Sequence, residues 1–223
     1  MNPLVTIVIP AYNHANYLKE SIYSVLNQTY PDIELIVLDD GSTDATQEVL
    51  KGFGDQFFWE THRNMGQAKT LNKGWSIARG SILSYLSADD ILYPLAVERC
   101  VEELKARPEI VLCYPDFHLI DSGSRVIRLV SAPEYSYEDM ALNFICAPGV
   151  GAFFRKHCFE EAGGWDPSLS YHPDYEYWLR LGLQGPFFHL PECLGGFRLH
   201  EGSQTFSTVS VFRGDEPLRI MKA

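Results

Sequence analysis

Glu34-Leu35-Ile36-Val37-Leu38-Asp39-Asp40-Gly41-Ser42 is an apolar run that stops at two carboxylates and a glycine turn. Ser42 or Thr43 is a natural N-cap for a helix over residues 43–50, so the stretch predicts a buried strand that feeds a helix. The pattern repeats on both sides. Residues 4–9 form a β-branched run stopped by Pro10, and Tyr17, Leu18, Ser21, Ile22, Val25 and Leu26 then recur at helical spacing. Downstream, residues 56–60 read as a third strand, a helix runs from after Gly66 to about Ala78, and residues 81–86 form a fourth strand that enters Ser87-Ala88-Asp89-Asp90. Strand–helix alternation with short loops predicts an α/β fold with a mostly parallel, Rossmann-like central sheet and helices on both faces.

Open α/β sheets bind ligands beyond the carboxyl ends of their strands. Three strands here end in polar or special residues at that edge: Pro10-Ala11-Tyr12-Asn13, Asp39-Asp40-Gly41-Ser42 and Asp89-Asp90. Any one could be turn chemistry alone; three at one edge point to a site. The second half is less regular. It predicts a helix over residues 95–105, strands at 110–119 and 125–130 around the Asp121-Ser122-Gly123-Ser124 turn, and an extended stretch at 149–154. Short helices follow at 156–162 and 174–183, with a last strand at 194–199. No repeat or linker divides the 223 residues, which predicts a single domain over 1–223.

The formal charge of −11 argues against nucleic acid as a partner. It also means that a nucleotide diphosphate would need a cation to offset repulsion, which favours a divalent metal, Mn2+ or Mg2+. Five scattered cysteines with no C-x-x-C pair read as reduced thiols rather than a disulfide framework or zinc site. No apolar stretch approaches the length of a membrane span. The expected location is cytoplasmic, with peripheral association at the inner face of a membrane left open, and composition is silent on oligomeric state.

Asp89 and Asp90 are adjacent carboxylates, and a site that keeps both ionised usually contains a cation; a helix N-terminus would also favour them. Asp39 and Asp40 are base or ribose acceptors, or turn residues. Asp174 and Glu176 open a helix but face different ways, so their tasks differ. His200 ends a strand beside the Gly202 turn, and Lys69 is a cation that could approach a phosphate from its helix. The loop Ala11-Tyr12-Asn13-His14 holds no glycine, lysine or arginine, which speaks against a nucleotidyltransferase, and the absence of G-x-G-x-x-G speaks against a dinucleotide oxidoreductase.

Taken together, these motifs resemble the family-2 glycosyltransferases of the GT-A fold. Val5-Thr6-Ile7-Val8-Ile9-Pro10-Ala11-Tyr12-Asn13 is similar to that family's first strand and nucleotide loop, and Leu38-Asp39-Asp40-Gly41-Ser42-Thr43-Asp44 to its best-known stretch. Asn64-x-Gly66-Gln67, Ser87-Ala88-Asp89-Asp90, Gly163-Gly164-Trp165-Asp166, the helix carrying Asp174 to Arg180, and Arg198-x-His200-x-x-Ser203 follow in order, so the resemblance spans residues 4–205. It implies transfer of a hexosyl or N-acetylhexosaminyl group, with inversion, from a nucleotide-diphospho-sugar (UDP foremost) to a saccharide or glycolipid hydroxyl. Residues 1–92 would then be the nucleotide-binding half, 93–205 a small acceptor-side β/α portion, and 206–223 a tail. Pro10, Ala11, Tyr12, Asp39, Asp40, Gln67, Lys69 and Asp89 would bind the nucleotide sugar; Asp89, Asp90 and His200 the metal; Gly164, Trp165 and Tyr171 the acceptor. Asp174 would be the catalytic base, although the residue before it is Pro173 where the family has Glu. A degenerate relative that binds the donor without transferring it is the alternative.

Overall fold

The structure, a computed structural model, describes residues 2–203 and Ile220. All but one residue of the expected tail at 206–223 therefore lies outside the described residues. Strands and helices alternate first as β1 (Val5–Ala11), α1 (Ala15–Leu26), β2 (Ile33–Asp39), α2 (Thr46–Lys51), β3 (Phe58–Thr61), α3 (Gln67–Ile77) and β4 (Ile82–Tyr85). Then come β5 (Ile91–Leu92), α4 (Ala96–Ala106), β6 (Leu112–Ile120), β7 (Val126–Val130) and α5 (Tyr137–Asn143). The last described elements are β8 (Phe153–Arg155), α6 (Lys156–Ala162), α7 (Pro173–Gly182) and β9 (Phe187–Arg198).

One sheet runs β3-β2-β1-β4-β8-β6-β9-β5, with β7 paired to β6. The pairs β3–β2, β2–β1, β1–β4 and β6–β9 are parallel, and β8 joins the two halves by antiparallel pairing with β4 and β6. The sheet is thus continuous across both halves and mixed in direction. Side-chain alternation explains why both faces are covered: Ile7 and Ile9 of β1 enter a core with α1 and α4, whereas Val8 enters the opposite core with Trp75 of α3 and Trp178 of α7. Trp75 and Trp178 are almost fully buried, and truncating such a side chain costs about 3–5 kcal/mol.

Four elements differ from expectation. Helix α2 starts at Thr46, not 43, with Ala45 at its N-cap and no side-chain cap bond, because Ser42 Oγ accepts from the Asn13 amide and the Thr43 amide donates to Asn13 Oδ1. The last strand begins at Phe187 rather than near residue 194, because three extra residues bulge out: Pro115 faces Leu190, Asp116 faces Cys193 and Phe117 faces Gly195, leaving Pro191, Glu192 and Leu194 without partners on β6. Proline interrupts the apolar pattern and is tolerated in a strand at such a bulge. Helix α5 has no apolar periodicity of its own; Ser136 starts it, its Oγ accepting from the Asp139 amide at 3.1 Å. Strand β5, two residues long, is too short to leave a pattern.

Candidate active site

The register places Ala11 beside Asp39, and the Asp40 amide extends that ladder to the Ala11 carbonyl at 2.8 Å. On the other side of β1, the Leu86 amide bonds Val8 O at 3.0 Å and directs the chain toward Asp89 and Asp90. The three strand ends therefore meet at one edge, around a cavity of about 390 Å³. Pro10, Ala11, Tyr12, Asp40, Gln67, Asp89, Asp90, Trp165, Tyr171 and Asp174 line it. Asp39, Lys69, Gly164 and His200 do not; Lys69 lies on the exposed side of α3.

Asp40 organises the nucleotide-side wall. Its two oxygens accept from the Met65 and Gly66 amides at 2.7 and 2.9 Å, which hold the Asn64–Gly66 loop against the cavity. Asp39 is fully buried: Oδ1 accepts from the Ser42 amide at 3.0 Å and Oδ2 has no hydrogen-bond partner. Gly41 sits at φ +75°, and a Cβ there would meet the Asn64 nitrogen at 2.8 Å, so the turn requires glycine.

Asp89 and Asp90 have different surroundings. Asp89 Oδ2 accepts from His200 Nε2 at 3.0 Å and lies 3.7 Å from His14 Nε2. The ligand atoms of His14, Asp89 and His200 all fall within 4.8 Å of one another. Burial works against the Asp89 charge, but the two imidazoles outweigh it and hold this carboxyl below its usual range. Asp90 is buried and its Oδ1 accepts from the Arg198 amide at 2.8 Å; burial and then the neighbouring Asp89 charge push its carboxyl well above the usual range. Asp90 thus lines the cavity but stands outside the histidine cluster.

The two histidines hold different tautomers. His14 Nδ1 is 2.6 Å from the Tyr12 carbonyl, which can only accept, so Nδ1 carries a proton. Its Nε2 then faces a carboxylate, and must either take a second proton or share a cation with Asp89. Burial alone would lower the His14 pKa; contact with Asp89 more than reverses this and raises it. His200 is the converse: its Nδ1 accepts from the Gly202 amide at 3.2 Å, so Nε2 is the protonated atom and donates to Asp89. The donor pair of the Asp89 carboxylate and the His14 Nε2 fits a first-row divalent ion.

On the opposite wall, Pro173 occupies the first turn of α7 and directs Asp174 to the cavity. Asp174 Oδ1 accepts from the Tyr175 amide at 2.8 Å, yet burial outweighs the amide bonds and raises its pKa. Glu176 pairs with Arg180, whose Nη2 donates to the Gly164 carbonyl at 2.7 Å. Asn72 closes the same turn, giving Nδ2–H to Trp165 O and accepting Trp165 N–H, each at 2.8 Å. Tyr85 packs edge-on against Trp165 with ring centroids 5.1 Å apart. A second cavity, of about 270 Å³, adjoins the first: Tyr85, Ser87, Asp90, Asp174 and Phe197 line both.

Sequence reasoning left out three residues of this edge: His14, Tyr85 and Arg198. His14 is visible in Asn13-His14, but nothing local links it to a carboxylate 75 positions on. Tyr85 reads as one more apolar strand residue. Arg198 shows only as part of Arg198-x-His200-x-x-Ser203, whereas its buried guanidinium ties Asp89 O, at 2.6 Å, to Asp121 O, Ser124 Oγ and Glu20.

Residues 6–161 match the family described as Glycosyl transferase family 2. An uncharacterized glycosyltransferase of Rickettsia typhi is 32% identical over 225 residues, covering 97% of this chain and 70% of its own length. The chondroitin synthase of Escherichia coli is 32% identical over 202 residues, which are 89% of this chain and 29% of the synthase. Among solved structures, S. aureus TarS 1-349 in complex with UDP-GlcNAc aligns at a TM-score of 0.74 and 16% identity, over 93% of this chain and 62% of that one. The Pyrobaculum calidifontis mannosyltransferase in complex with GDP-Man and Mn2+ aligns at 0.69 and 18% identity, over 91% and 59%. At such identities the structural likeness is one of fold, the GT-A arrangement of these glycosyltransferases.

Proposed function

The chain belongs to glycosyl transferase family 2, and from that membership we propose that it transfers a hexosyl or N-acetylhexosaminyl group from a UDP-sugar to a hydroxyl of a saccharide or glycolipid acceptor, with inversion at the anomeric carbon. The observation that carries the reading is that Asp174 lines both cavities. A donor in the larger cavity and an acceptor in the smaller one would meet at this carboxylate, as a single in-line displacement requires. The E. coli relative is a chondroitin synthase and the TarS structure holds UDP-GlcNAc, which supports the sugar and base classes.

Each residue then has a task. Asp174 takes the proton from the attacking hydroxyl, and burial raises its basicity. Tyr12 and the loop held by Asp40 frame the nucleoside. His14 and Asp89 would hold a divalent ion, Mn2+ or Mg2+, and Mn2+ accompanies GDP-Man in the mannosyltransferase structure. Such an ion supplies a counter-charge for the diphosphate as it leaves. Asp90 steadies the β9 end through the Arg198 amide, and the His200 N–H points into the same cluster, where a diphosphate oxygen can accept it.

The test is UDP-sugar turnover beside thermal unfolding with UDP, GDP and dTDP, each with Mn2+ and with EDTA. A ligand at a hundred times its dissociation constant adds about 2.7 kcal/mol to stability. UDP with Mn2+ should raise the melting temperature most. Asp174→Asn should keep that rise and lose about 10²–10⁴-fold in transfer. Transfer by the Asn variant at the wild-type rate removes Asp174 as base, and no nucleotide response at all removes the donor reading.

A further inference from the structure

We infer that the acceptor carries an apolar group beside its reacting hydroxyl, an alkyl, prenyl or aryl aglycone, and that the smaller cavity houses it. The inference rests on the transferase reading above and narrows its acceptor class.

Apart from Cys146, the polar side chains that line this cavity are the ones it shares with the donor cavity: Ser87, Asp90, Asp174 and Tyr85. Beyond them the wall is Phe117, Val130, Ala132, Pro133, Ala147 and Val150. Polar groups near this apolar wall are already engaged. The Cys146 thiol donates to Pro148 O, Tyr114 Oη donates to Pro133 O at 2.7 Å, and Asp116 accepts from the Ala132 amide and from His189. A second sugar ring placed here would bury hydroxyls beside side chains that offer them no partner. An apolar chain gains instead, by about fourfold in affinity for each buried methylene.

The chain leading into the cavity wall continues the same chemistry. Leu142, Phe144 and Ile145, immediately before Cys146, are exposed apolar residues, and Phe144 stacks on Tyr175, the neighbour of Asp174, at 5.2 Å. Phe144 is also held at φ +56°, a left-handed conformation that a bulky residue adopts only when something holds it there. Chain continuity with Cys146 of the cavity wall and the Phe144 stack on Tyr175 set this exposed apolar stretch beside the cavity, where a long aglycone would run on.

The experiment uses methyl, butyl, hexyl and octyl β-glucosides below their micelle concentrations as probes, with binding to the full chain read by calorimetry in the presence of UDP and Mn2+. The expected result is affinity that climbs with chain length by up to fourfold per methylene until the cavity is filled. Val130→Gln should weaken octyl glucoside at least tenfold without changing the UDP–Mn2+ melting shift. Phe144→Asn, which relieves the left-handed strain and so folds, should lower octyl but not methyl affinity. Equal binding of methyl and octyl glucosides, or octyl binding untouched by both substitutions, overturns the inference. If the UDP–Mn2+ shift persists in that case, the donor reading stands; loss of the shift in wild-type protein overturns the donor reading itself.

Discussion

The Arg198 amide donates to Asp90 Oδ1 at 2.8 Å, so the end of β9 is tied to the carboxylate pair that follows β4. Because Asp90 is buried beside Asp89 and its pKa is pushed well up, a neutral amide can replace it. Asp90→Asn, which keeps the accepting oxygen, should unfold within about 1 kcal/mol of wild type. Arg198→Met leaves that amide bond but strips partners from the Asp89 and Asp121 carbonyls and from Ser124. It should cost about 3 kcal/mol, or roughly 6–12 °C in Tm for a chain of this size. Urea denaturation of both variants checks the pair; an Asn variant as unstable as the Met variant would show that Asp90 is needed as an ion.

Gly164 is fixed by packing rather than by backbone conformation. A Cβ at that position would lie 2.0 Å from Asn72 Oδ1, the atom that accepts the Trp165 amide. Gly164→Ala must therefore push Asn72 out of its two bonds with Trp165. Trp165 lines the larger cavity, the one given to the donor, so the donor KM should rise several-fold as Trp165 loses its orientation, with acceptor affinity near wild type. Unchanged donor kinetics with unchanged stability would mean that the turn can move aside without cost.

A pH effect on stability follows from His189. Its ring nitrogens face two carboxylates, Asp116 at 2.8 Å and Glu134 at 2.9 Å, and Tyr114 stacks on the ring at 5.4 Å. Burial alone would lower the His189 pKa, but its hydrogen bonds to Glu134 and Asp116 outweigh it, so the pKa stands raised above 6.5. The stabilisation from the charged ring is then complete below the unfolded value and is lost as pH rises through the folded one. Wild type should lose stability between pH 6 and pH 9 relative to His189→Gln, in which no ring titrates. Parallel stability curves for the two proteins over that range would contradict this.

How much was legible depended on the distance over which each feature is specified. The nucleotide half reads directly, because strands such as Val5–Ala11 and Ile33–Asp39 are buried on both faces and stop at turn residues whose chemistry is local. β9 was half hidden, since Pro191 and Glu192 break its apolar run and only the facing strand β6 shows that they bulge. The cavity edge was legible through its strand ends, but the partition between Asp89 and Asp90 was not. Adjacent in sequence and alike in chemistry, they differ only because His14 and His200 reach one while the Arg198 amide reaches the other. The second cavity draws its walls from β6, β7 and the stretch around Ala147, and no local pattern announces that these meet.

The histidine tautomers lead to the sharpest test of the metal site. His14 Nε2 is a lone pair or a second N–H depending on what shares Asp89 with it, whereas Nε2 of His200 is already protonated toward Asp89 by the Gly202 amide at Nδ1. Ligation by His200 through Nε2 would require its proton to move to Nδ1, against an N–H donor that already points there. Ligation by His14 requires no such change, since the Tyr12 carbonyl already holds its Nδ1 proton. Even outer partners of a metal site are worth about 10–100-fold in affinity. His14→Gln should therefore weaken Mn2+ at least tenfold in an electron paramagnetic resonance titration with UDP present. His200→Gln, which retains an N–H donor near Asp89, should weaken it less. With EDTA in place of Mn2+, the two variants should bind UDP alike. A larger Mn2+ loss in His200→Gln than in His14→Gln would reverse the assignment and mean that the His200 ring rotates or changes tautomer when the ion arrives.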